Sequence, residues 1–144
     1  MGRKYLTKRR PMTKGWIYAF TVGSLTKIGC SRDPARRVLG QRSRLQKQAG
    51  VVSRGHLQAM YVNNNMFQVE WQIHCRLGEY QVQTERYHLP PEILANFPQI
   101  VEDACARLED IRREDDSVFG RTELARRYNI CHSTLSKILN GGTA

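Results

Sequence analysis

The sequence predicts an α+β protein: a small antiparallel three-stranded sheet flanked by helices, followed by a C-terminal all-α helix-turn-helix module. Two observations lead to this expectation. Short segments rich in aromatic and β-branched residues alternate with longer segments in which apolar residues recur at helical spacing. Near the C terminus, two helical patterns are separated by a short turn. The chain has 144 residues, which suits one domain of about 100 residues plus a small module.

The predicted sheet begins with a hairpin near the N terminus. Gly15–Val22 is rich in aromatic and β-branched residues, which favour strands. Gly23-Ser24 supplies a turn, and Leu25–Cys30 is the expected partner strand. A third strand is predicted at His56–Val62, and it completes the sheet.

Three helices are predicted around this sheet. The first, at residues 34–48, is expected to begin with Asp33 as its N-cap and Pro34 at its first helical position. The second, Met66–Leu77, follows three asparagines, and the third spans residues 98–113. The segment 79–91 is expected to be mostly loop, and a short strand is suggested at Arg86–Leu89. The apolar stripes expected to be buried are Met66, Val69, Ile73 and Leu77, and Ile100, Val101, Ala104, Leu108 and Ile111.

The net charge of +10 is concentrated at the two ends of the chain. Residues 1–49 carry a net charge of +12, residues 50–118 carry −5 and residues 119–144 carry +3. A basic surface attracts polyanions, because each neutralised phosphate releases counterions. The distribution indicates a nucleic-acid partner, and the alternative is a surface that only keeps the protein in solution. The bases of the first helix predicted to contact DNA are Arg36, Arg42 and Arg44.

Several classes of protein are excluded at this stage. No apolar run approaches the roughly 20 residues needed to cross a bilayer, so we expect no membrane contact. The basic N terminus is not followed by the apolar region of a signal peptide. No pair of cysteines has the spacing of a zinc or redox motif, so free thiols in the cytoplasm are expected (the host cytoplasm if the protein is phage-encoded).

The segment 121–140, RTELARRYNICHSTLSKILN, resembles a helix-turn-helix of the resolvase and phage type. A recognition helix lies in the major groove and presents its outer side chains to the bases. The alternative is a small helical hairpin that packs on the domain without touching DNA. The residues predicted to face inward are Leu124, Ala125, Tyr128, Ile130, Leu135, Ile138 and Leu139. The residues predicted to contact DNA are His132, Ser133, Thr134, Ser136 and Lys137.

Short motifs in the first half of the chain resemble those of the GIY-YIG nuclease superfamily. GWIY at residues 15–18 is followed, nine residues after its tyrosine, by KIG at residues 27–29. Lys27 stands where the second motif usually has tyrosine, as in a branch common in phage and mobile elements. Arg37 on the next predicted helix and Glu70 in VEWQIH match the arginine and the metal-binding glutamate of the family. The resemblance covers about residues 14–110 and implies that the catalytic residues are Tyr18, Lys27, Arg37, Glu70 and His74.

The implied reaction, phosphodiester hydrolysis, accounts for these residue types. One carboxylate, here Glu70, suits Mg²⁺ (or Mn²⁺), which keeps most of its waters. Arg37 can donate two hydrogen bonds to phosphate oxygens. Tyr18 needs nearby positive charge to act as a base, because a phenol has a pKa of about 10. Lys27 either supplies that charge or is itself the base, and His74 either touches phosphate or orients Glu70.

The expected organisation is a flexible basic arm at residues 1–14, a GIY-YIG-like nuclease domain at 15–111, a charged linker at 112–118 and the helix-turn-helix module at 119–144. The expected function is a site-preferring, metal-dependent endonuclease of phage or mobile-element type acting on double-stranded DNA. One active site cuts one strand, so double-strand breaks require a homodimer on DNA or two successive events. The alternative is a non-catalytic DNA-binding regulator that keeps the nuclease-like fold. A third candidate, an RNA-binding or structural protein, fits the helix-turn-helix less well.

Overall fold

The structure is a computed structural model. It describes residues 13–115 and, beyond them, Arg126, Tyr128, Ile130, Leu135 and Ile138. Most of the predicted basic arm (residues 1–12) and linker residues 116–118 lie outside the described residues. So do the residues of the C-terminal module predicted to contact DNA, namely His132, Ser133, Thr134, Ser136 and Lys137.

The protein has the predicted α+β architecture, but its antiparallel sheet has five strands, in the order β3-β1-β2-β5-β4, where three were expected. The three expected strands are confirmed as β1 (Gly15–Val22), β2 (Leu25–Ser31) and β3 (His56–Val62). The two additional strands, β4 (Gln81–Gln83) and β5 (Arg86–Tyr87), are short, and β5 lies within the short strand that the sequence suggested at Arg86–Leu89. They lack an alternating pattern, so the sequence offered no periodicity by which to predict β4.

Five α-helices accompany the sheet in the described part of the chain: α1 (Pro34–Leu39), α2 (Arg42–Ala49), α3 (Met66–Arg76), α4 (Pro91–Ala95) and α5 (Phe97–Asp115). A single 3₁₀ turn spans Gly78–Tyr80. The prediction of one helix at 34–48 was wrong, because the chain breaks at Gly40 and Gln41 into α1 and α2. Glycine is a poor helix residue, and Gly40 is the C-cap of α1. The short helix α4 was not predicted.

Side-chain caps start two of these helices, as the sequence predicted. The Asp33 carboxylate accepts a hydrogen bond of 3.2 Å from the backbone N–H of Arg36 in α1. The Asn65 side-chain oxygen accepts hydrogen bonds from the backbone N–H groups of Phe67 and Gln68 in α3. Each cap satisfies backbone donors that have no partner within the helix.

The two faces of the sheet bury separate apolar clusters. On one face, Ile17, Ala19 and Ile28 pack against the apolar stripes of α3 and α5, which confirms both predicted stripes. We call this cluster the large core. On the other face, residues of β1 and β2 pack beneath α1 and α2 around Val38 and Leu45, and we call this the small core. Successive residues of β1 therefore face different surroundings, because side chains alternate along a strand.

The described residues of the C-terminal module pack onto the large core. Leu135 and Ile138 are buried within it, and Tyr128 and Ile130 pack against its surface. The Arg107 guanidinium of α5 lies 5.5 Å from the centre of the Tyr128 ring. These contacts agree with the predicted inward orientation of these four hydrophobic residues.

The helix α5 runs through Asp115, so residues 112–115 are helical and not the beginning of an extended linker. Their sequence, RRED, contains neither glycine nor proline, and Arg and Glu are good helix formers. Charge alone therefore did not mark the end of the helix.

Two further expectations concern cysteines and membranes. Cys30, Cys75 and Cys105 are free thiols, as expected, while Cys131 lies outside the described residues. Among the described helices, none combines the length and apolar character needed to span a bilayer.

Candidate functional site

Tyr18 lies in the middle of β1, with its side chain on the small-core face of the sheet. Its ring lies over Gly29, the residue opposite it in β2. A Cβ atom at position 29 would lie only 2.6 Å from the Tyr18 hydroxyl oxygen, so the glycine is needed for this close approach. The hydroxyl donates a hydrogen bond of 3.2 Å to the side-chain oxygen of Gln41, the residue at the break between α1 and α2.

The surroundings of Tyr18 keep its phenol protonated. Burial is the main cause, and it raises the pKa of Tyr18 above its usual value. The positive charge of Arg37 acts in the opposite direction, and two glutamates, Glu70 and Glu85, raise the pKa further. At neutral pH Tyr18 is therefore a hydrogen-bond donor and not a ready base.

Glu70 and His74 lie one turn apart on α3, at the margin of the large core. The Glu70 Oε2 and His74 Nε2 atoms are 3.6 Å apart, and their side chains are 19% and 15% exposed. His74 Nδ1 is hydrogen-bonded to the Tyr87 hydroxyl, and the two rings stack with centroids 5.6 Å apart. The buried His74 Nε2 has no hydrogen-bond partner among the described residues, and it faces the Glu70 carboxylate.

Cys30 lies beside Glu70, at the far end of β2 from the hairpin turn. Burial raises the pKa of the Cys30 thiol, and the charge and hydrogen bond of Glu70 raise it further. The thiol is therefore protonated and donates to the Glu70 carboxylate. A thiol held in this form is a poor nucleophile and a poor metal ligand.

Lys27 forms an ion pair with Glu85, which approaches from the loop between β4 and β5. Glu85 has a positive φ of 62°, an unusual conformation for a residue other than glycine. Its carbonyl accepts a hydrogen bond of 3.0 Å from the backbone N–H of Ile28. The cation that lowers the pKa of Tyr18 is that of Arg37, so the structure gives Lys27 a carboxylate partner where the sequence suggested an activating role toward Tyr18.

The site forms where the pairing of β2 with β5 ends. The two strands pair at Thr26 and Lys27, and no strand in the described part of the chain continues this pairing along Gly29–Ser31. Tyr18 reaches this edge from one face of the sheet, whereas Cys30 and Glu70 lie at its other face. The charge of Glu70 acts on both Tyr18 and Cys30, and so does that of Arg37. We call Tyr18, Cys30, Arg37, Glu70 and His74 the edge cluster.

Glu70 is the residue of the edge cluster that could hold a hydrated magnesium ion. Among the described residues, no group of three or more His, Cys, Asp or Glu side chains is arranged to hold a metal. Such a group is typical of zinc sites, whereas Mg²⁺ takes one or two carboxylates and keeps several waters. Glu70, which is partly exposed, provides one such carboxylate.

Comparison with known proteins bears on the C-terminal end of the chain, where Leu135 and Ile138 face inward as a helix-turn-helix requires. Residues 107–142 match the CENP-B N-terminal DNA-binding domain. The match covers about a quarter of the chain and supports a DNA-binding helix-turn-helix at the C terminus. No curated protein and no solved structure matches the chain.

The matched segment begins inside α5, eight residues before that helix ends at Asp115. The helix whose stripe completes the large core therefore also supplies the start of the DNA-binding segment. The match does not extend to residues 15–106, so the resemblance of that part to the GIY-YIG superfamily stays a prediction.

The arginines of α1 and α2 that are predicted to contact DNA differ in how exposed they are. Arg36 and Arg44 are exposed. Arg42 is only partly exposed, its guanidinium lies 5.8 Å from the centre of the Phe20 ring, and its Nε donates to the Arg54 carbonyl. Packing and loop closure account for the position of Arg42, whereas Arg36 and Arg44 remain free to meet a DNA backbone.

Sequence analysis missed three residues that complete the site: Cys30, Gln41 and Tyr87. Cys30 follows the KIG motif directly, so its position was visible although its contact with Glu70 was not. Gln41 follows Gly40, and the low helix propensity of that glycine was the available signal for a break. Tyr87 lies within the short strand suggested at Arg86–Leu89, but no local signal indicated its contact with His74.

Proposed function

We propose that the protein binds double-stranded DNA through its C-terminal helix-turn-helix and hydrolyses phosphodiester bonds at the edge cluster with Mg²⁺ or Mn²⁺. The single observation that supports hydrolysis is the convergence of a tyrosine, an arginine and a partly exposed glutamate from β1, α1 and α3. The family match supports the DNA-binding half of the proposal. Cleavage rests on the geometry and on the resemblance of the motifs.

In this proposal each member of the cluster has one task. Arg37 donates to the non-bridging phosphate oxygens. The Tyr18 hydroxyl is buried against Gln41, so it would donate to a phosphate oxygen only after Gln41 moves away. Glu70 holds the cation, which when bound neutralises phosphate charge and makes its bound water more acidic. His74 orients Glu70 from one turn away, and Cys30 donates to the same carboxylate. Lys27, paired with Glu85, borders the cluster.

A second candidate is a non-catalytic DNA-binding regulator, and two observations favour it. The family match concerns DNA binding alone, so on that evidence the regulator is at least as well supported as the nuclease. In addition, neither predicted base is ready to act, because Tyr18 is protonated and Lys27 is paired with Glu85. In this version the edge cluster grips phosphates without breaking them.

Two expectations belong with either proposal. Two copies bound as a homodimer would read a longer site and would place one edge cluster near each strand. A DNA-binding role is compatible with a cytoplasmic or a nuclear location.

A plasmid assay separates the two candidates. Wild type, Glu70→Gln and the matched control Glu79→Gln, at an exposed carboxylate, are incubated with supercoiled DNA and fragments of genomic DNA. Parallel reactions contain Mg²⁺, Mn²⁺ or EDTA, and gel shift measures binding of the same fragments. Cleavage that needs the metal, survives Glu79→Gln and is lost in Glu70→Gln with binding retained supports the nuclease.

Other outcomes decide against parts of the proposal. Binding of specific fragments without cleavage by any variant or metal overturns hydrolysis and favours the regulator. Cleavage that persists in Glu70→Gln removes that residue from the metal site. The absence of any binding to duplex DNA contradicts both candidates.

A further inference from the structure

Two aromatic side chains lie exposed together on the sheet, outside the edge cluster. Trp16 of β1 and Tyr61 of β3 are directly opposite each other in the strand register. Their rings meet edge to face with centroids 5.5 Å apart, and 36% and 50% of the two residues remain exposed. Cross-strand packing explains why the rings touch, but it does not explain why so much aromatic surface remains in water.

Positive charge borders this aromatic pair. A cleft of about 380 Å³ is lined by Trp16, Tyr61 and Gly15 together with Lys14 and Arg32. Among the residues that the structure describes, no acidic side chain lines this cleft. The nearest acid in sequence, Asp33, uses its carboxylate to cap α1. We call Trp16, Tyr61, Lys14 and Arg32 the aromatic platform.

The platform lies on the same face of the sheet as Tyr18. Side chains two apart on a strand share a face, so Trp16 and Tyr18 are neighbours separated by about 7 Å along β1. The helices α1 and α2 cover Tyr18 and Phe20 but leave Trp16 open. The exposed rings and α1, the helix that carries Arg37, therefore lie on the same side of the sheet.

Aromatic faces beside cations suit an unstacked nucleobase with its flanking phosphates. Bases stack on Trp and Tyr without regard to sequence, while Lys and Arg attract the backbone. Bases within a duplex are already stacked on one another and offer no free face, so the platform favours a base that has left the stack. This preference distinguishes it from the helix-turn-helix, which reads an intact major groove.

We propose that the aromatic platform binds an unstacked nucleobase of a DNA strand held by the α+β domain, with Lys14 and Arg32 contacting the phosphates on either side. The inference rests on the proposed function only in that this domain contacts DNA, and it does not require cleavage. It assigns to the domain a preference for single-stranded or distorted DNA that neither the motifs nor the family match contains.

The two tryptophans of the chain make a direct test possible, because Trp71→Phe leaves Trp16 as the only tryptophan. The full-length Trp71→Phe protein is titrated with a single-stranded oligonucleotide of about 12 nucleotides and with an abasic strand of equal length. Trp16 fluorescence reports stacking, and anisotropy of a labelled strand reports total binding by any part of the protein. Tyr61→Leu is added to this background, and Phe67→Leu, at an exposed aromatic of α3, is the matched control.

We expect the base-bearing strand to quench Trp16 and to bind about tenfold more tightly than the abasic strand. Tyr61→Leu should remove most of this difference and Phe67→Leu none of it, with both variants folded by circular dichroism. Equal binding of the two strands, unquenched Trp16 in the bound complex, or no binding of single strands would each overturn the platform.

These results are independent of the test of cleavage. Quenching by the base-bearing strand in a protein that cuts no plasmid keeps the platform and rejects only hydrolysis. If cleavage depends on Glu70 but Trp16 fluorescence does not change when a strand binds, only the platform is rejected.

Discussion

At the scale of single residues, the site depends on close approaches that the local sequence does not reveal. Tyr18 occupies the space that any side chain at Gly29 would need. The Glu70 carboxylate has a thiol on one side and an imidazole on the other. These neighbours hold Glu70 in place and leave part of its side chain exposed.

Replacing Gly29 with alanine tests the first of these approaches. The new Cβ would lie 2.6 Å from the Tyr18 hydroxyl oxygen and 2.8 Å from its Cζ atom, so the ring must shift. We expect Gly29→Ala to lower the free energy of unfolding by about 1–3 kcal/mol, measured by urea denaturation. Gly78→Ala, where an added Cβ meets no atom within 4 Å, is the control and should change stability little. An equal effect of the two substitutions would contradict the tight fit.

The protonation of buried groups predicts how stability responds to alkaline pH. Burial raises the pKa of Cys30 and of Tyr18 from usual values of 9.0 and 10.0, and it raises the pKa of Tyr87 to about 12. Above these usual values the unfolded chain loses protons that the folded chain keeps, so the free energy of unfolding decreases as pH rises. The same groups contribute their full stability below pH 9.0.

Urea midpoints measured from neutral pH to about pH 11 test this expectation. The midpoint should decrease above pH 9, and the decrease should be smaller in Tyr87→Phe, which removes one raised group. Tyr61→Phe, at an exposed phenol, is the matched control. A midpoint that rises with pH, or equal pH dependence in the wild type and Tyr87→Phe, would show that these groups titrate alike in both states.

At the scale of elements, the helices place the site by where they begin and break. The helix α3 begins at the Asn65 cap and presents Glu70 and His74 one and two turns later. The break between α1 and α2 lets the Gln41 side chain reach the Tyr18 hydroxyl, which a continuous helix would not provide. Gly40 and the capping Asn65 therefore position site side chains by setting where the helices end and begin.

Removal of the Asn65 cap tests this role for α3. In Asn65→Ala, two backbone N–H groups lose the acceptor that lies 3.0 and 3.3 Å away. We expect the free energy of unfolding to decrease by about 1 kcal/mol in thermal or urea denaturation. Asn63→Ala, at an exposed neighbour, should have a much smaller effect. Similar losses from both substitutions would mean that the cap contributes nothing specific.

At the scale of the whole molecule, the DNA-binding segment and the α+β domain share one core. Leu135 and Ile138 are buried with residues of the sheet, α3 and α5. The family match begins within α5, so this helix belongs to both parts. We infer that the two parts stabilise each other and unfold together.

Truncation of Leu135 tests this coupling. Leu135→Ala should lower the free energy of unfolding by about 2–5 kcal/mol, because it leaves a cavity in the large core. Both tryptophans lie in the α+β domain, so their fluorescence should report the loss in a single transition. Leu39→Ala, at an exposed leucine, is the control. A tryptophan transition that Leu135→Ala leaves unchanged would show that the C-terminal segment unfolds independently.

The sequence by itself determined the elements whose signals are local. Strands β1, β2 and β3, the stripes of α3 and α5 and the caps at Asp33 and Asn65 follow from periodicity and from side chains within a few residues. Apolar spacing decides these features, since burial of one face requires it. The candidate residues Tyr18, Arg37, Glu70 and His74 were also visible, as motifs in order.

Only the tertiary structure decided which of these residues meet. The partners Tyr18 and Gln41 are 23 residues apart, and Lys27 and Glu85 are 58 residues apart. Strand β5 pairs with the edge of β2, and β4 pairs with β5. The sequence suggested a short strand at Arg86–Leu89, but β4 has no strand signal of its own and forms in this tertiary context. Local periodicity carries no information about such distant pairings, because they depend on how the packed helices and the sheet bring the chain back on itself.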